Sequence, residues 1–568
     1  MKKLLSLLLT FMLLFSIASC GASGGDTEGD GGGVSDEGSG DGTDIPDGGS
    51  VDGGEDTKED EPPTEIIIEF SENTILKSLI PTARKLCGGI EDGSDVIDRA
   101  VKERNDLAAR EAGVTVKYKY VPDDPDYNNM FNDIRRIRTE AQTYAPGSTD
   151  IYNNFTLFIH EILFSGVFAN LKSKSSDGEA LFRFCEEDYD KEAPYSEGYY
   201  YGYMSSVSLT DDRLYVIASD YDLDFARRLF SVPTNINLLS GACAKLSEGS
   251  DVDAIEEITE LVLSGGWTFE ALARYANAAY VEKLETNSAS FSEHGEVLGF
   301  AARFSLNPDL AHALFTSSDV KLINKGRDEE SGEYFISYPE NNDTVLEIFH
   351  ALEDFYNADG ITDVDVYIDR IADEFRADRI LFGGIDTFER ISSGLYSDAD
   401  TKLIPLPVPI YKKADGIGYN SSLDSLAKVF AIAVKTDALE KCAAFLDYQA
   451  THSSDIADSY LYAEFGYDGD DALSVAGRRM IDLIKTNIKN SFEVTISNHS
   501  DFGPHQVPDG EVVDWFTYIR VRNYDFSNID EKLPLQSKEM QNSLDGILRY
   551  WDYIDAYHDY INRSRLSE

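Results

Sequence analysis

The spacing of apolar and polar positions predicts an α/β body that begins near residue 64. Runs or alternations of apolar residues predict strands, and apolar residues three or four positions apart predict helices. By these patterns we expect strands at 65–70, 114–121 and 150–152, with helices between them at 95–112 and 127–142. Such alternation of strands and helices is typical of a layer with parallel strands.

Similar patterns recur farther along the chain. Gly265-Gly266 leads into a helix that Thr268 would cap at its N-terminus. Buried strands are predicted at 379–385 and at 429–434, and a helix follows the second of them at 438–449. The C-terminal region has a mostly helical pattern and is rich in tyrosine.

The N-terminus has the three parts of a secretory signal peptide. Two lysines precede an apolar run over 4–18, and small residues precede Cys20. The alternative is a transmembrane helix, but the run is shorter than the roughly 20 residues that span a bilayer. The sequence Ile-Ala-Ser before Cys20 resembles the lipobox of bacterial lipoproteins. This resemblance implies that residues 1–20 are a lipoprotein signal segment and that Cys20 is lipidated on sulfur and becomes the mature N-terminus.

Residues 21–63 have the composition of a disordered tether. They contain 14 Gly and 14 acidic residues but one lysine and no aromatic residue. Dense like charge with little apolar surface cannot offset the entropy lost on ordering. About 505 residues then remain, which is more than one hydrophobic core supports, so two or more domains or lobes are expected.

The net charge of −53 excludes several classes of ligand. Nucleic acid binding needs clustered lysine and arginine, so it is not expected here. Polyanionic ligands and direct adsorption on anionic lipid are disfavoured for the same reason. The acidic composition favours a neutral or cationic ligand. The alternative is that the negative charge only keeps the protein soluble.

The remaining cysteines do not have the spacing of a zinc site. They lie far apart and form no CxxC pair. Two disulfides or four separate buried thiols are both compatible with the sequence at positions Cys87, Cys185, Cys243 and Cys442.

The order of several motifs resembles the family 1 extracellular solute-binding proteins of bacterial ABC importers. The helix at 95–105 with Val114-Thr115-Val116 is similar to their first helix and second strand. The sequence Gly-Trp-Thr-Phe-Glu-Ala-Leu at 266–272 is similar to their most recognisable internal motif. The segment 429–446 is similar to their return strand and the helix after it, whereas 232–237 departs from their usual aromatic-Asn-Lys run.

The resemblance implies a two-lobed type 2 periplasmic-binding-protein-like fold, α/β in class, with a helical C-terminal region. It assigns 64–222 and 427–480 to lobe 1, 223–426 to lobe 2, and 481–568 to a helical region that packs on lobe 2. The chain would cross between the lobes near 219–225 and 426–431. A ligand would lie in the cleft between the lobes, and the lobes would close about the two crossings.

The function implied is that of a membrane-anchored receptor outside the cytoplasm. It would deliver a small-molecule solute, with a sugar as the first expectation, to the permease subunits of an ABC importer. No cofactor, metal or catalytic residue is predicted. The alternatives are a surface glycoside hydrolase, suggested only by the abundance of acids, Tyr and Trp, and a non-transport surface adhesin, which would have no deep cleft.

Sugar binding needs aromatic faces for the ring surfaces and polar side chains for the hydroxyls. Candidates follow predicted strands or lie near the two crossings, where the resemblance places the cleft. They are Tyr152, Asn153, Asn154, Tyr221, Asp222, Gly384, Asp386, Tyr419 and Asn420. Core packing is the alternative for Tyr152, and a purely hinge-shaping role is the alternative for Tyr221 and Asp222. For Trp267 a core position is the stronger expectation.

Overall fold

A computed structural model describes most of the chain from Pro62 onward. The described residues are 62–72, 84–88, 95–122, 130–163, 165–208, 210, 212–249, 253–282, 295–304, 308–320, 323–337, 343–364, 366, 368–397, 401–413, 418–424, 426–489, 554, 556–558 and 561. The predicted signal segment, including Cys20, and nearly all of the predicted tether lie outside them. By its contacts the chain divides between Pro63 and Thr64, and every element below belongs to the unit Thr64–Glu568.

The strands of this unit are short, and most of them are buried. They are β1 (Thr64–Glu72), β2 (Val114–Pro122), β3 (Ile151–Phe155), β4 (Phe230–Asn235), β5 (Leu298–Ala302), β6 (Asn324–Arg327), β7 (Tyr334–Ser337), β8 (Ile361–Asp363), β9 (Ile380–Phe382), β10 (Asp386–Thr387), β11 (Leu403–Leu406) and β12 (Lys428–Ile432).

The α-helices lie between these strands or follow one another in short series. They are α1 (Val96–Ala112), α2 (Met130–Thr143), α3 (Thr156–Leu163), α4 (Tyr201–Ser206), α5 (Ile236–Leu246), α6 (Ala254–Leu263), α7 (Phe269–Ala279), α8 (Pro308–Ser317), α9 (Asp343–Tyr356), α10 (Ile368–Arg376), α11 (Phe388–Arg390), α12 (Leu439–Thr451), α13 (Ser454–Phe465) and α14 (Ala472–Thr486). Within the described ranges, no helix combines the length and the apolar composition that a membrane crossing needs.

The first sheet has the strand order β12-β3-β1-β2. β1 is parallel to both β2 and β3, and β12 runs antiparallel to β3. β1 is a continuous buried run from Ile66 onward, as expected for a strand inside a parallel sheet. The Asp95 carboxylate accepts the Ile97 N–H at the start of α1, and Gly113 ends the helix at φ 64°. The predicted strand–helix–strand pattern of this region is therefore confirmed.

The second sheet has the order β10-β4-β9-β5-β8, and β11 pairs with β4 outside this path. Trp267 is fully buried beside it and donates its indole N–H to the Pro407 carbonyl at 2.8 Å, which confirms the core position predicted for it. The strand predicted at 379–385 is shorter in the structure, because Gly384 adopts φ +81° and redirects the chain after β9. The chain then enters β10, which pairs with β4.

Two crossing segments join the sheets and lie side by side. Ile217 pairs with Phe430 at the first sheet, and Leu229 pairs with Leu423 at the second. The segments between these pairs carry the chain from one sheet to the other, close to the crossings predicted near 219–225 and 426–431. The structure therefore has the two-lobed α/β architecture that the sequence predicts.

The C-terminal part of the chain contacts both lobes. α12 packs against α1 of the first lobe, and α14 packs against β11 and α6 of the second. The buried His558 ring lies 2.8 Å from the Gly166 carbonyl of the first lobe, whereas we predicted packing of 481–568 on the second lobe. Most of that region lies outside the described residues, so its packing stays a prediction. All four cysteines of the described body are free thiols.

Candidate functional site

Buried polar side chains concentrate along the two crossing segments and the strand ends beside them. We call this set the interlobe layer, and each of its members has less than a tenth of its surface exposed. Such a concentration is informative because a buried polar group costs free energy unless it has a partner. The interlobe layer consists of Asn153, Asp222, Asp224, Arg228, Ser231, Asp386, Glu389, Ser422 and Lys428.

The first-lobe side of the layer is built on β3 and β12. Asn153 lies opposite Phe430 in the β3–β12 pair and donates its amide to the Asp222 carboxylate at 3.2 Å. Lys428 donates to the Ser71 carbonyl at 2.9 Å. Burial raises the pKa of Asp222, and the nearby Lys428 ammonium opposes that rise. The layer therefore holds a carboxylate, an amide and an ammonium group together away from bulk water.

An arginine organises the second-lobe side. The Arg228 guanidinium lies 3.1 Å from the Asp224 carboxylate and 2.9 Å from the Glu389 carboxylate. Burial opposes ionisation of Asp224, but Arg228 and Arg227 more than compensate, and the pKa of Asp224 falls to about 2. Burial raises the pKa of Glu389, against the attraction of Arg228. Glu389 lies just after β10 of the second sheet, so its ion pair with Arg228 joins the first crossing segment to that sheet.

Several polar atoms of the layer have no hydrogen-bond partner among the described residues. They include the hydroxyls of Ser231 and Ser422 and the side-chain carbonyl of Asn153. Ser231 lies on β4 opposite Asp386, and Ser422 lies opposite Phe230, which donates its N–H to the Ser422 carbonyl at 3.1 Å. Buried polar atoms are nearly always paired, so each unpaired one requires an explanation. A polar molecule bound between the lobes would supply the missing partners.

Three of the predicted site residues belong to this layer: Asn153 and Asp222, which share a hydrogen bond, and Asp386, which lies on the second sheet. Asp386 accepts the Thr387 N–H at 2.9 Å and the Tyr396 hydroxyl at 3.1 Å, and burial raises its pKa. Gly384 lies just before it, in the left-handed conformation. Ligand contact by any of these residues stays a prediction.

The predicted aromatic residues are all buried among the chain's own side chains. Tyr152 lies within the first sheet with its ring 6.0 Å from that of Phe168. Tyr221 stacks on Phe430 at 4.8 Å between ring centroids. The Tyr419 hydroxyl accepts the Trp267 N–H and donates to a carbonyl of α6. These contacts provide a packing role for each ring, whether or not a ligand also touches it.

The two predicted asparagines outside the layer have local partners. The Asn154 side chain accepts the Phe155 N–H at 2.7 Å. The Asn420 backbone N–H donates to the Ser317 carbonyl at 3.2 Å. Both side chains are buried near the layer, so their contact with a ligand stays a prediction.

Sequence reasoning missed six members of the layer, which are Asp224, Arg228, Ser231, Glu389, Ser422 and Lys428. Arg227 and Arg228, which begin three residues after Asp224, were a usable signal, because adjacent arginines close to aspartates at the end of a predicted crossing indicate an ion pair. The two serines gave no signal, because Ser231 is a single serine within a short strand and Ser422 is one of two adjacent serines in a polar segment.

The low pKa of Asp224 predicts a pH-dependent contribution to stability. A group whose pKa is lower in the folded than in the unfolded protein stabilises the fold above the unfolded value, about 3.9 for aspartate. That stabilisation is lost as the pH falls toward about 2. We therefore expect the gap in unfolding free energy between the natural protein and Asp224→Asn to shrink from pH 6 to pH 3. Urea unfolding at both pH values measures it, and a gap of constant size would contradict the ionised pairing.

Comparison with known proteins returns matches among solved structures. No family model and no curated protein matches the chain. The sugar-binding protein MalE from Xanthomonas citri is 11% identical, with 87% of this chain and 99% of that chain covered, at a TM-score of 0.46. A family 1 extracellular solute-binding protein from Bifidobacterium longum subsp. infantis is 13% identical, with 87% and 100% covered, at a TM-score of 0.43.

A third similar structure is the galacto-N-biose-/lacto-N-biose I-binding protein of an ABC transporter from Bifidobacterium longum. It is 10% identical, with 87% of this chain and 99% of that chain covered, at a TM-score of 0.43. These are proteins of the class that the sequence motifs resemble.

Proposed function

We propose that this chain is a solute-binding protein whose ligand is held between the two lobes, in the interlobe layer. One observation carries the proposal: both lobes contribute buried polar atoms that have no hydrogen-bond partner among the described residues, namely the Asn153 carbonyl and the Ser231 and Ser422 hydroxyls. A molecule that contacts both lobes at once would favour their closed arrangement. Because the layer is buried, binding requires the lobes to separate and close again.

A neutral polyhydroxylated solute fits this layer best. The unpaired atoms are two hydroxyls, which can donate or accept, and one carbonyl, which accepts. Sugar hydroxyls satisfy both kinds of atom without bringing a charge, and the strongly acidic chain disfavours an anion. We therefore propose a carbohydrate as the solute and an ABC importer as its destination.

The pairing of Asp224 and Glu389 argues against these two carboxylates acting in glycoside hydrolysis. Hydrolysis uses two opposed carboxyl groups, one as acid and one as base or nucleophile. Asp224 and Glu389 instead both accept hydrogen bonds from Arg228. Both carboxylates therefore form ion pairs with the chain's own arginine.

The anchoring of the protein is part of the same proposal. A lipid on Cys20 and an acidic, Gly-rich tether at 21–63 would hold the folded body at the membrane, outside the cytoplasm. A receptor in that position can pass its solute to permease subunits in the same membrane.

A thermal-shift screen tests the proposed function, since a ligand that binds only the native state raises the apparent melting temperature. Suitable first probes are sugars bound in similar solved structures, acarbose, maltotriose, lacto-N-biose and raffinose. We expect at least one neutral oligosaccharide to raise the melting temperature in a concentration-dependent way. A response to peptides or polyamines alone would contradict the carbohydrate assignment, and no response to any of the three classes would contradict solute binding.

A further inference from the structure

The β6–β7 hairpin stands apart from both main sheets. Its strands, Asn324–Arg327 and Tyr334–Ser337, form a two-stranded antiparallel sheet of their own. In sequence it belongs to the second lobe, between α8 and α9. Ile336 is buried and Phe335 is exposed, so one face of the hairpin is anchored and the other faces solvent. An isolated two-stranded hairpin is marginally stable, so its position depends on the contacts that it makes.

One such contact reaches the first lobe through Lys325. Its ammonium group donates to the Ser205 carbonyl at 3.0 Å and also to the Ser208 carbonyl. Ser205 belongs to the last turn of α4, and Ser208 follows that helix and is buried. Carbonyl groups at a helix C-terminus carry partial negative charge and favour a cation. A hydrogen bond with an ionised donor is about twice as strong as a neutral one.

A second contact joins the other strand of the hairpin to the first lobe. The Arg213 guanidinium lies 6.0 Å from the centre of the Tyr334 ring. Arg213 precedes the first crossing segment, and its neighbour Leu214 accepts the Leu171 N–H of the first lobe at 2.7 Å. Arg327 of the hairpin lies 5.5 Å from the same ring. Both strands of the hairpin therefore contact the first lobe, at residues 205–213, which precede the first crossing segment.

We propose that the β6–β7 hairpin is a clasp that keeps the two lobes closed when no solute is bound. Its contacts join residues 324–337 of the second lobe to residues 205–213 of the first, so they break when the lobes separate. The crossing segments cannot hold the lobes closed in this way, because they join the two lobes covalently in both the open and the closed arrangement. The ammonium–carbonyl contacts are strong enough to shift the ratio of open to closed molecules about tenfold. The clasp needs no solute, so its test is independent of the proposed function.

The test compares the protein without solute as the natural chain, as Lys325→Met and as Lys413→Met. Methionine keeps the length of the side chain but removes the ammonium group. Lys413 is an exposed lysine of the same lobe and serves as the control. Small-angle scattering should give a larger radius of gyration for Lys325→Met than for the other two proteins. Hydrogen exchange should become about tenfold faster, by the same shift in the open-to-closed ratio, in peptides covering 201–208 and 323–337.

Tyr334→Leu provides an independent variant, since it removes the ring contacts and leaves Lys325 in place. It should expand the particle in the same direction. Circular dichroism and the melting transition establish that each variant is folded before its radius is compared. Identical radii and identical exchange in 201–208 for all variants would overturn the clasp and would make the hairpin an appendage of the second lobe alone. Faster exchange in 323–337 with no change in 201–208 would also overturn it, because the hairpin would then loosen by itself.

Discussion

Replacing Arg228 with methionine is expected to lower the free energy of unfolding by about 3–5 kcal/mol. The Arg228 side chain is only 2% exposed and lies between the carboxylates of Asp224 and Glu389. Without the guanidinium group Glu389 would remain buried without its ion-pair partner, and Asp224 would keep only its pair with Arg227 at 2.9 Å. Breaking a buried ion pair from one side is costly because the partner keeps its desolvation penalty. Urea unfolding at pH 7 measures the effect.

Arg110 offers a matched control for this substitution. It lies on α1, is largely exposed, and its nearest acid is Glu111 at 3.8 Å. An exposed ion pair contributes about 0–1 kcal/mol, so Arg110→Met should leave stability nearly unchanged. Adding Glu389→Gln to Arg228→Met should recover part of the loss, because it removes one uncompensated charge. Equal stability of Arg228→Met and Arg110→Met would show that the network contributes nothing.

Replacing Cys20 with alanine is expected to move nearly all of the protein from the membrane fraction to the medium. The lipidation that the Ile-Ala-Ser-Cys sequence implies requires the Cys20 sulfur, and alanine cannot carry the thioether. Cell fractionation with immunodetection measures the distribution, and mass spectrometry of the N-terminal peptide detects the lipid.

The Cys185→Ala variant controls for loss of a thiol as such. Cys185 is a half-buried free thiol of the folded body, so its removal should leave membrane retention unchanged. Equal retention of Cys20→Ala and the natural protein would contradict lipid anchoring at this position. Release of both variants would point to a folding defect rather than to a lost anchor.

Local chemistry made the first lobe predictable. The capping aspartate at 95 and the glycine at 113 fix the ends of α1 by hydrogen bonds to neighbouring residues, which a sequence displays directly. The apolar runs that became β1 and β12 are equally local. The positions of strands and the ends of helices depend on a few neighbouring residues, so the sequence pattern is sufficient to predict them.

The interlobe layer was predictable only in part, because distant pairing determines it. Arg228 reaches Glu389 across 161 positions, and nothing near either residue indicates the other. β10 is two residues long and exists because it pairs with β4, so no periodicity could reveal it. The β6–β7 hairpin was missed because its strands have only four residues each: β6 contains no apolar side chain, and the apolar run at the start of β7 is too short to show a period.

Titration calorimetry on serine variants tests the proposed site most directly. The ligand is the oligosaccharide with the largest thermal shift, and the proteins are the natural chain, Ser231→Ala, Ser422→Ala and the exposed-helix control Ser240→Ala. Neither layer hydroxyl has a partner among the described residues, so removing it should leave the melting temperature without ligand unchanged or slightly raised. If each hydroxyl binds the ligand, its loss should weaken binding about 3- to 10-fold, while Ser240→Ala keeps full affinity. Unchanged affinity in both layer variants would contradict the claim that the solute is bound between the lobes.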